Sequence, residues 1–151
     1  MRKIYLLVYI LIIQSILFSS MGLGAGGDYK SYNLNVPDKH PLDKTQYKKI
    51  ILDNKLKVIL VSNPDFNMSA ASMHVNVGSI SNPREHQGLA HFLEHMLFLG
   101  TEKYPNVDDY SSYLSQNGGY SNAYTSSNHT NYHFEVYHNS FEGAIDRFSQ
   151  F

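Results

Sequence analysis

The chain has 151 residues, of which 42% are hydrophobic and 17% are charged, and its formal net charge is −1. This length allows one domain of ordinary globular composition, and a net charge so close to zero gives no electrostatic footprint for nucleic acid. Because the chain contains no cysteine, disulfides and thiolate metal ligands are excluded.

The first residues, 1–27, have the pattern of a secretory signal peptide. Arg2 and Lys3 form a positive start, residues 4–13 form an unbroken apolar run, and small residues surround a candidate cleavage point after Ala25. A retained membrane anchor is the alternative, but the uninterrupted run is only half of the ~20 residues that a spanning helix needs. We therefore expect cleavage, no stable membrane anchor, and a periplasmic or secreted mature chain.

Residues 28–44 are polar and contain two prolines, which predicts an extended leader without a core of its own. Residues 45–151 carry hydrophobic periodicity of both the strand and the helix type. They predict an α+β domain, in which an antiparallel-rich sheet has helices packed on one face.

The predicted elements follow from strict alternation in strands and from apolar residues three and four apart in helices. In chain order they are a hairpin of residues 50–52 and 56–61 that turns at Asp53 and Asn54, a strand of residues 71–77, a helix of residues 83–99, a helix of residues 106–116, two strands of residues 120–125 and 130–137, and a helix of residues 141–151. The last helix has no stop signal and its apolar face still runs at Phe151, so we expect a truncated domain.

The helix of residues 83–99 has predicted ends at both sides. Asn82 is a candidate N-cap, Pro83 suits the first helical position, and Glu85 completes a capping box with Asn82. Gly100 is the predicted stop. Apolar residues at helical spacing predict that one face is buried, and they are Leu89, Phe92, Leu93, Met96, Leu97 and Leu99.

This helix carries His91 and His95 four residues apart, with Glu94 directly before the second histidine. Residues four apart point the same way, so the two imidazoles can bind one ion. Zinc suits neutral imidazole in a chain without thiolates. Glu94 is near enough to take a proton from a water that the ion activates.

The alternative is that two of the chain's eight histidines simply lie on one helix, since short motifs produce false positives. The apolar residues around them predict that the histidine pair is desolvated. A buried polar group without a partner costs about 1–3 kcal/mol. This cost favours a metal site over simple packing.

Residues 88–105, Gly-Leu-Ala-His-Phe-Leu-Glu-His-Met-Leu-Phe-Leu-Gly-Thr-Glu-Lys-Tyr-Pro, resemble the active-site segment of the pitrilysin and insulin-degrading-enzyme family of zinc metallopeptidases. Residues 121–125, Ser-Asn-Ala-Tyr-Thr, and residues 130–134, Thr-Asn-Tyr-His-Phe, resemble the same family. The motif His-x-x-Glu-His is the signature of the inverzincins. The resemblance runs from about Lys44 to Phe151 and covers only the first part of the family's N-terminal domain.

The resemblance implies that His91 and His95 are zinc ligands and that Glu94 is the general base for peptide hydrolysis. The family takes its third zinc ligand from a glutamate further along the chain, at a position that would lie beyond Phe151. The C-terminal remainder of the peptidase is therefore an expected partner in a full-length parent.

The resemblance also implies a mode of substrate binding. Ser121, Asn122 and Ala123 would form the edge strand to which a peptide adds by main-chain hydrogen bonds. Phe98, one turn past the general base, could line a side-chain subsite, and core packing is the alternative for this residue.

Three function classes follow from the sequence. The leading one is a zinc metalloendopeptidase that acts on peptides or oligopeptides, present as an N-terminal fragment without its third ligand. The second is a non-catalytic structural relative, which the intact motif argues against. The third is a catalytically inactive truncated remnant.

Export gives the first testable prediction. The mature chain should begin near Gly26, and N-terminal mass spectrometry of protein from the exported fraction measures this directly. Mature protein that still begins at Met1 in the soluble cytoplasm would contradict the prediction.

Overall fold

The computed structural model describes residues 30–33 and 39–151 of the chain. The predicted signal peptide, residues 1–27, lies outside the described residues, as do residues 28–29 and 34–38 of the predicted leader. Within the described part, no helix is both long and apolar enough to span a membrane. The chain divides into two compact units after Phe66.

The unit that ends at Phe66 is a small antiparallel sheet. Its strands are β1 (Lys30–Asn33), β2 (Gln46–Ile51) and β3 (Lys57–Ser62). β2 lies in the middle and pairs with both neighbours. Ile50, Val58 and Leu60 form the core of this unit. The predicted hairpin of residues 50–52 and 56–61 is confirmed, with a longer first strand and a second strand shifted by one residue.

The turn between β2 and β3 is one residue longer than predicted. The N–H of Leu52 donates to the carbonyl of Leu56 at 3.0 Å, so three residues form the loop instead of two. Lys55 takes a φ of 70°, and its N–H donates to the carbonyl of Leu52 at 2.8 Å. A turn followed by one left-handed residue is a common way to close a three-residue hairpin.

The second unit, residues 67–151, contains a second antiparallel sheet and the helices. Its elements are β4 (Met68–Val75), α1 (Leu89–Met96), α2 (Asp109–Gln116), β5 (Tyr120–Thr125), β6 (Thr130–Tyr137) and α3 (Phe141–Phe148). β6 lies between β4 and β5. Short 3-10 turns, Ser79–Ser81 and His138–Ser140, precede α1 and α3.

The core of the second unit lies between β6 and the two helices α2 and α3. β6 buries every second side chain on one face, the period of a strand with one covered face. The ring of Phe134 lies 5.1 Å from Phe148 and 5.8 Å from Phe141 on α3, and 6.4 Å from Tyr110 on α2. This sheet with helices on one face confirms the predicted α+β class.

The start of the motif helix differs from the prediction. α1 begins at Leu89, so Asn82 is not its N-cap and the predicted capping box does not form a helix start. Gly88 has a left-handed φ of 91°, which an α-helix cannot include. The side chain of Asn82 still accepts the N–H of Ala90 at 3.0 Å, so it satisfies a first-turn donor from eight residues away.

The ends of α1 and α3 also lie earlier than predicted. α1 ends at Met96 and continues as a turn, since the N–H of Leu99 donates to the carbonyl of Met96 at 3.1 Å. Gly100 follows with a φ of 104°, where the chain leaves this turn. α3 ends at Phe148, and Phe151 follows it through a turn in which its N–H donates to the carbonyl of Phe148 at 3.3 Å.

We predict that Phe134→Ala lowers the free energy of unfolding by about 3–5 kcal/mol, because a buried phenylalanine leaves a cavity when it is truncated. Urea unfolding followed by circular dichroism measures this loss. Val107→Ala, at an exposed position of the same unit, is the control and should change the free energy by less than about 0.5 kcal/mol. Equal losses in the two variants would refute the central position of Phe134.

Candidate metal centre

α1 places the three side chains of the motif together. The Nε2 atoms of His91 and His95 lie 3.0 Å apart, and their ring centres lie 4.7 Å apart. With Glu94, each side chain brings a ligand atom to within 4.8 Å of the others. Four-residue spacing on one helix is the cause, since it stacks the two imidazoles on the same side.

This geometry fits a zinc ion. Two imidazole nitrogens at zinc–nitrogen distances of ~2.0–2.1 Å and a tetrahedral angle would lie about 3.3 Å apart. The two Nε2 atoms are already at 3.0 Å, so a small rotation of the rings would suffice. A neutral pair at this distance can also share one N–H···N hydrogen bond.

Burial at the site is the reverse of what the sequence pattern predicted. Glu94 is 4% exposed, whereas Phe92 is 62% and Leu93 is 54% exposed. His91 and His95 are exposed as well. Helical spacing shows which residues share a face but not which face packs on the sheet. The predicted desolvation of the histidine pair is therefore wrong, and the case for a metal depends on the geometry.

The side chain of Glu94 points toward the sheet and contacts β5. The hydroxyl of Thr125 donates to its Oε2 at 2.5 Å. Burial raises the pKa of Tyr132, and the negative charge of Glu94 raises it further, since a nearby carboxylate disfavours a second negative charge. Thr125 falls inside the segment that resembles the family, but no pattern in the sequence singled it out.

The predicted substrate residues lie on β5, which is an edge strand of the sheet that the described residues form. Ser121 and Ala123 are half-buried and Asn122 is exposed. The N–H of Ala123 donates to the side chain of Asn122 at 2.9 Å. This main-chain donor is therefore occupied within the strand itself.

Phe98 lies among aromatic rings. Its ring centre is 5.3 Å from Phe151, 6.2 Å from Tyr110 and 6.3 Å from Tyr132. These contacts agree with the core-packing alternative, and a role in a substrate subsite stays a prediction.

Two carboxylates elsewhere in the unit are engaged in ion pairs. Asp109 accepts from Arg147 at 2.6 Å, and Asp146 accepts from Lys103 at 2.7 Å. Tyr104 also donates to Asp146. The hydrogen bonds from Lys103 and Tyr104 lower the pKa of Asp146, so this carboxylate is engaged by its own partners.

An α+β fold that carries His-x-x-Glu-His on a helix beside a sheet edge defines the class of inverzincin-type peptidase domains. Residues 57–151 match the family described as insulinase, peptidase family M16. The chain belongs to this family.

Individual relatives agree with the family match. Insulin-degrading enzyme-like 1, peroxisomal, of Arabidopsis thaliana is 55% identical over 109 residues, which are 72% of this chain and 11% of that protein. A protein of Schizosaccharomyces pombe that is named as a zinc protease is 54% identical over 110 residues, 73% of this chain and 11% of that protein. The crystal structure of pitrilysin matches with a TM-score of 0.75 and 39% identity, over 82% of this chain and 13% of that one. The chain thus spans about a ninth of the length of these curated relatives.

We predict that His91→Ala and His95→Ala each weaken zinc binding by at least about tenfold, since even the outer-shell partners of a metal site cost 10–100-fold when they are lost. Competition between the metal-free chain and a zinc-binding dye measures the dissociation constants. His86→Ala removes another exposed histidine of the same unit and should leave the constant unchanged. An unchanged constant in both ligand variants would show that the ligand assignment is wrong.

Proposed function

We propose that this chain carries the metal-binding and proton-transfer segment of a zinc metalloendopeptidase that cleaves peptides or oligopeptides. His91 and His95 are the proposed zinc ligands, and Glu94 is the proposed general base. The observation that carries the proposal is the 3.0 Å approach of the two Nε2 atoms beside a buried carboxylate. Membership of a family with a relative named as a zinc protease supports the choice of metal.

The protein side of the chemistry follows from the positions of these side chains. Zinc, when bound, supplies Lewis acidity at a peptide carbonyl and acidifies a water. The imidazoles of His91 and His95 would hold the ion through their Nε2 atoms. The carboxylate of Glu94 takes a proton from the attacking water and returns it to the leaving amine, and this kind of transfer contributes about 10²–10⁴-fold to a rate.

A peptide substrate would bind in extended form along β5. An edge strand offers unpaired main-chain groups to a second strand, and Ser121, Asn122 and Ala123 lie on this edge. The N–H of Ala123 is occupied by the Asn122 side chain, so a peptide that uses this donor has to displace that side chain first.

A catalytic zinc site usually has three protein ligands and one open position. The two histidines supply two of them, and Asp109 and Asp146 are engaged in ion pairs with Arg147 and Lys103. We therefore propose that the third ligand belongs to a part of a longer family protein that this chain does not include. The alternative is that the chain is an inactive fragment or a non-catalytic relative. The observation in favour of this alternative is that the chain matches only 11% of the length of these relatives.

The proposed compartment depends on the sequence alone. The signal-peptide pattern of residues 1–27 supports a periplasmic or secreted chain, and these residues lie outside the described part. One plant relative is named as peroxisomal, which is a different compartment from the one proposed for this chain.

We expect Glu94→Gln to lower peptide cleavage by at least about 100-fold while the zinc content stays at the wild-type value, because the amide cannot accept the proton. A quenched fluorogenic peptide and atomic absorption measure the two quantities. Glu102→Gln, at an exposed position of the same unit, is the matched control.

The same pair of variants is also tested in Insulin-degrading enzyme-like 1 of Arabidopsis thaliana after its 109 matching residues are replaced by those of this chain. Cleavage by this hybrid but not by the chain alone would support a fragment of a working peptidase. Cleavage by neither would favour an inactive remnant, and full activity of the Glu94→Gln hybrid would refute the role of Glu94.

A further inference from the structure

We propose that Thr125 is a positioning residue, which fixes the carboxylate of Glu94 through one directed hydrogen bond. This inference rests on the proposed function of Glu94 as general base. The residue reaches Glu94 from β5, across 31 positions of sequence, and lies outside the His-x-x-Glu-His motif.

The contact is short and the carboxylate is well shielded. The Oγ1 atom of Thr125 donates to Oε2 of Glu94 at 2.5 Å, the distance of a hydrogen bond to a charged acceptor. Glu94 is 4% exposed, so little water reaches it to replace this donor. Losing a hydrogen bond to a buried charge is costly for the same reason.

The direction of this hydrogen bond follows from counting protons. Each threonine hydroxyl has one proton to donate. Thr130 Oγ1 donates its proton to the carbonyl of Val77 at 2.8 Å, and a carbonyl cannot donate in return. In the 3.4 Å contact between the hydroxyls of Thr125 and Thr130, Thr125 is therefore the only possible donor. Its Oγ1 lies much nearer to Oε2 of Glu94, at 2.5 Å, and a carboxylate is a stronger acceptor than a neutral hydroxyl, so the proton of Thr125 is directed to Glu94.

The consequence for Glu94 is a fixed carboxylate plane. A glutamate side chain ends in a torsion with a broad energy profile, so an unrestrained carboxylate would rotate. The donor on Oε2 removes this freedom and leaves the remaining lone pairs free to accept a proton. A general base works only when it is within hydrogen-bond reach of the proton that it abstracts.

Thr125 is itself held by the sheet. It pairs with Thr130 across β5 and β6, and the N–H of Ser126 donates to the carbonyl of His129 at 2.8 Å to close the loop. Thr125 also stands two residues after Ala123 and shares its side of β5. The proposed substrate strand and the proposed base are thus joined by a single side-chain hydrogen bond.

The contact is tested by carbon-13 NMR of the full chain with labelled glutamate. The carboxyl resonance of Glu94 is assigned by its absence in Glu94→Gln. Thr125→Val, which keeps the shape and removes the hydroxyl, should shift this resonance. Thr125→Ser keeps the hydroxyl donor and should return the resonance to its wild-type position. The matched control Thr101→Val should leave the resonance at that position. An unshifted resonance in Thr125→Val would overturn the proposal.

The positioning role is tested by kinetics of the zinc-loaded hybrid described under the proposed function. Thr125→Val should lower kcat by about 10–100-fold, the usual cost of losing an outer-shell partner, with KM and zinc content unchanged. Thr125→Ser should recover most of kcat. A shifted resonance with an unchanged kcat would overturn the positioning role.

The proposed function and the hydrogen bond between Thr125 and Glu94 are tested by different measurements, so one can be refuted without the other. If neither the chain nor the hybrid cleaves peptides, the proposed function of this chain is refuted, and the positioning role in catalysis is refuted with it. The NMR comparison would then still decide whether Thr125 holds the Glu94 carboxylate.

Discussion

The central position of β6 is the constraint on which the second unit depends. β6 pairs with β4 on one side and β5 on the other, and it presents Phe134 to the aromatic side chains of α2 and α3. Covering one face of a sheet with helices buries the apolar side chains that alternate along its strands. Because β5 is aligned by β6, the same packing sets the position of Thr125 opposite α1.

The candidate site combines an exposed pair of histidines, the proposed ligands, with a buried glutamate, the proposed base. His91 and His95 are open to solvent, while Glu94 faces the sheet and is bonded to β5. This division suits the two tasks. Exposed imidazoles are accessible to an ion, and a carboxylate shielded from water keeps one orientation because few other partners can reach it. A helix can supply both environments, since adjacent residues on it point in different directions.

The family match and the structure bear on different parts of the functional argument. Residues 57–151 identify an insulinase-family chain, and the structure shows how its motif residues are arranged. Neither observation bears on the rest of the relatives' length, because this chain spans only about a ninth of it. The proposed zinc binding needs the two histidines of the motif helix, whereas the proposed peptide hydrolysis also needs a complete set of ligands. The two proposals can therefore be tested separately.

The sequence by itself determined the α+β class, the elements around the site, and the residues of the motif, because strand and helix periods and a four-residue histidine spacing are local properties. It did not determine where α1 begins, since the left-handed Gly88 and the distant Asn82 side chain set that boundary. It also predicted burial for Phe92 and Leu93, which are exposed, and it did not indicate Thr125. Only the tertiary structure decided these points, because the face that a helix buries and the hydrogen bond between α1 and β5 depend on how distant segments pack.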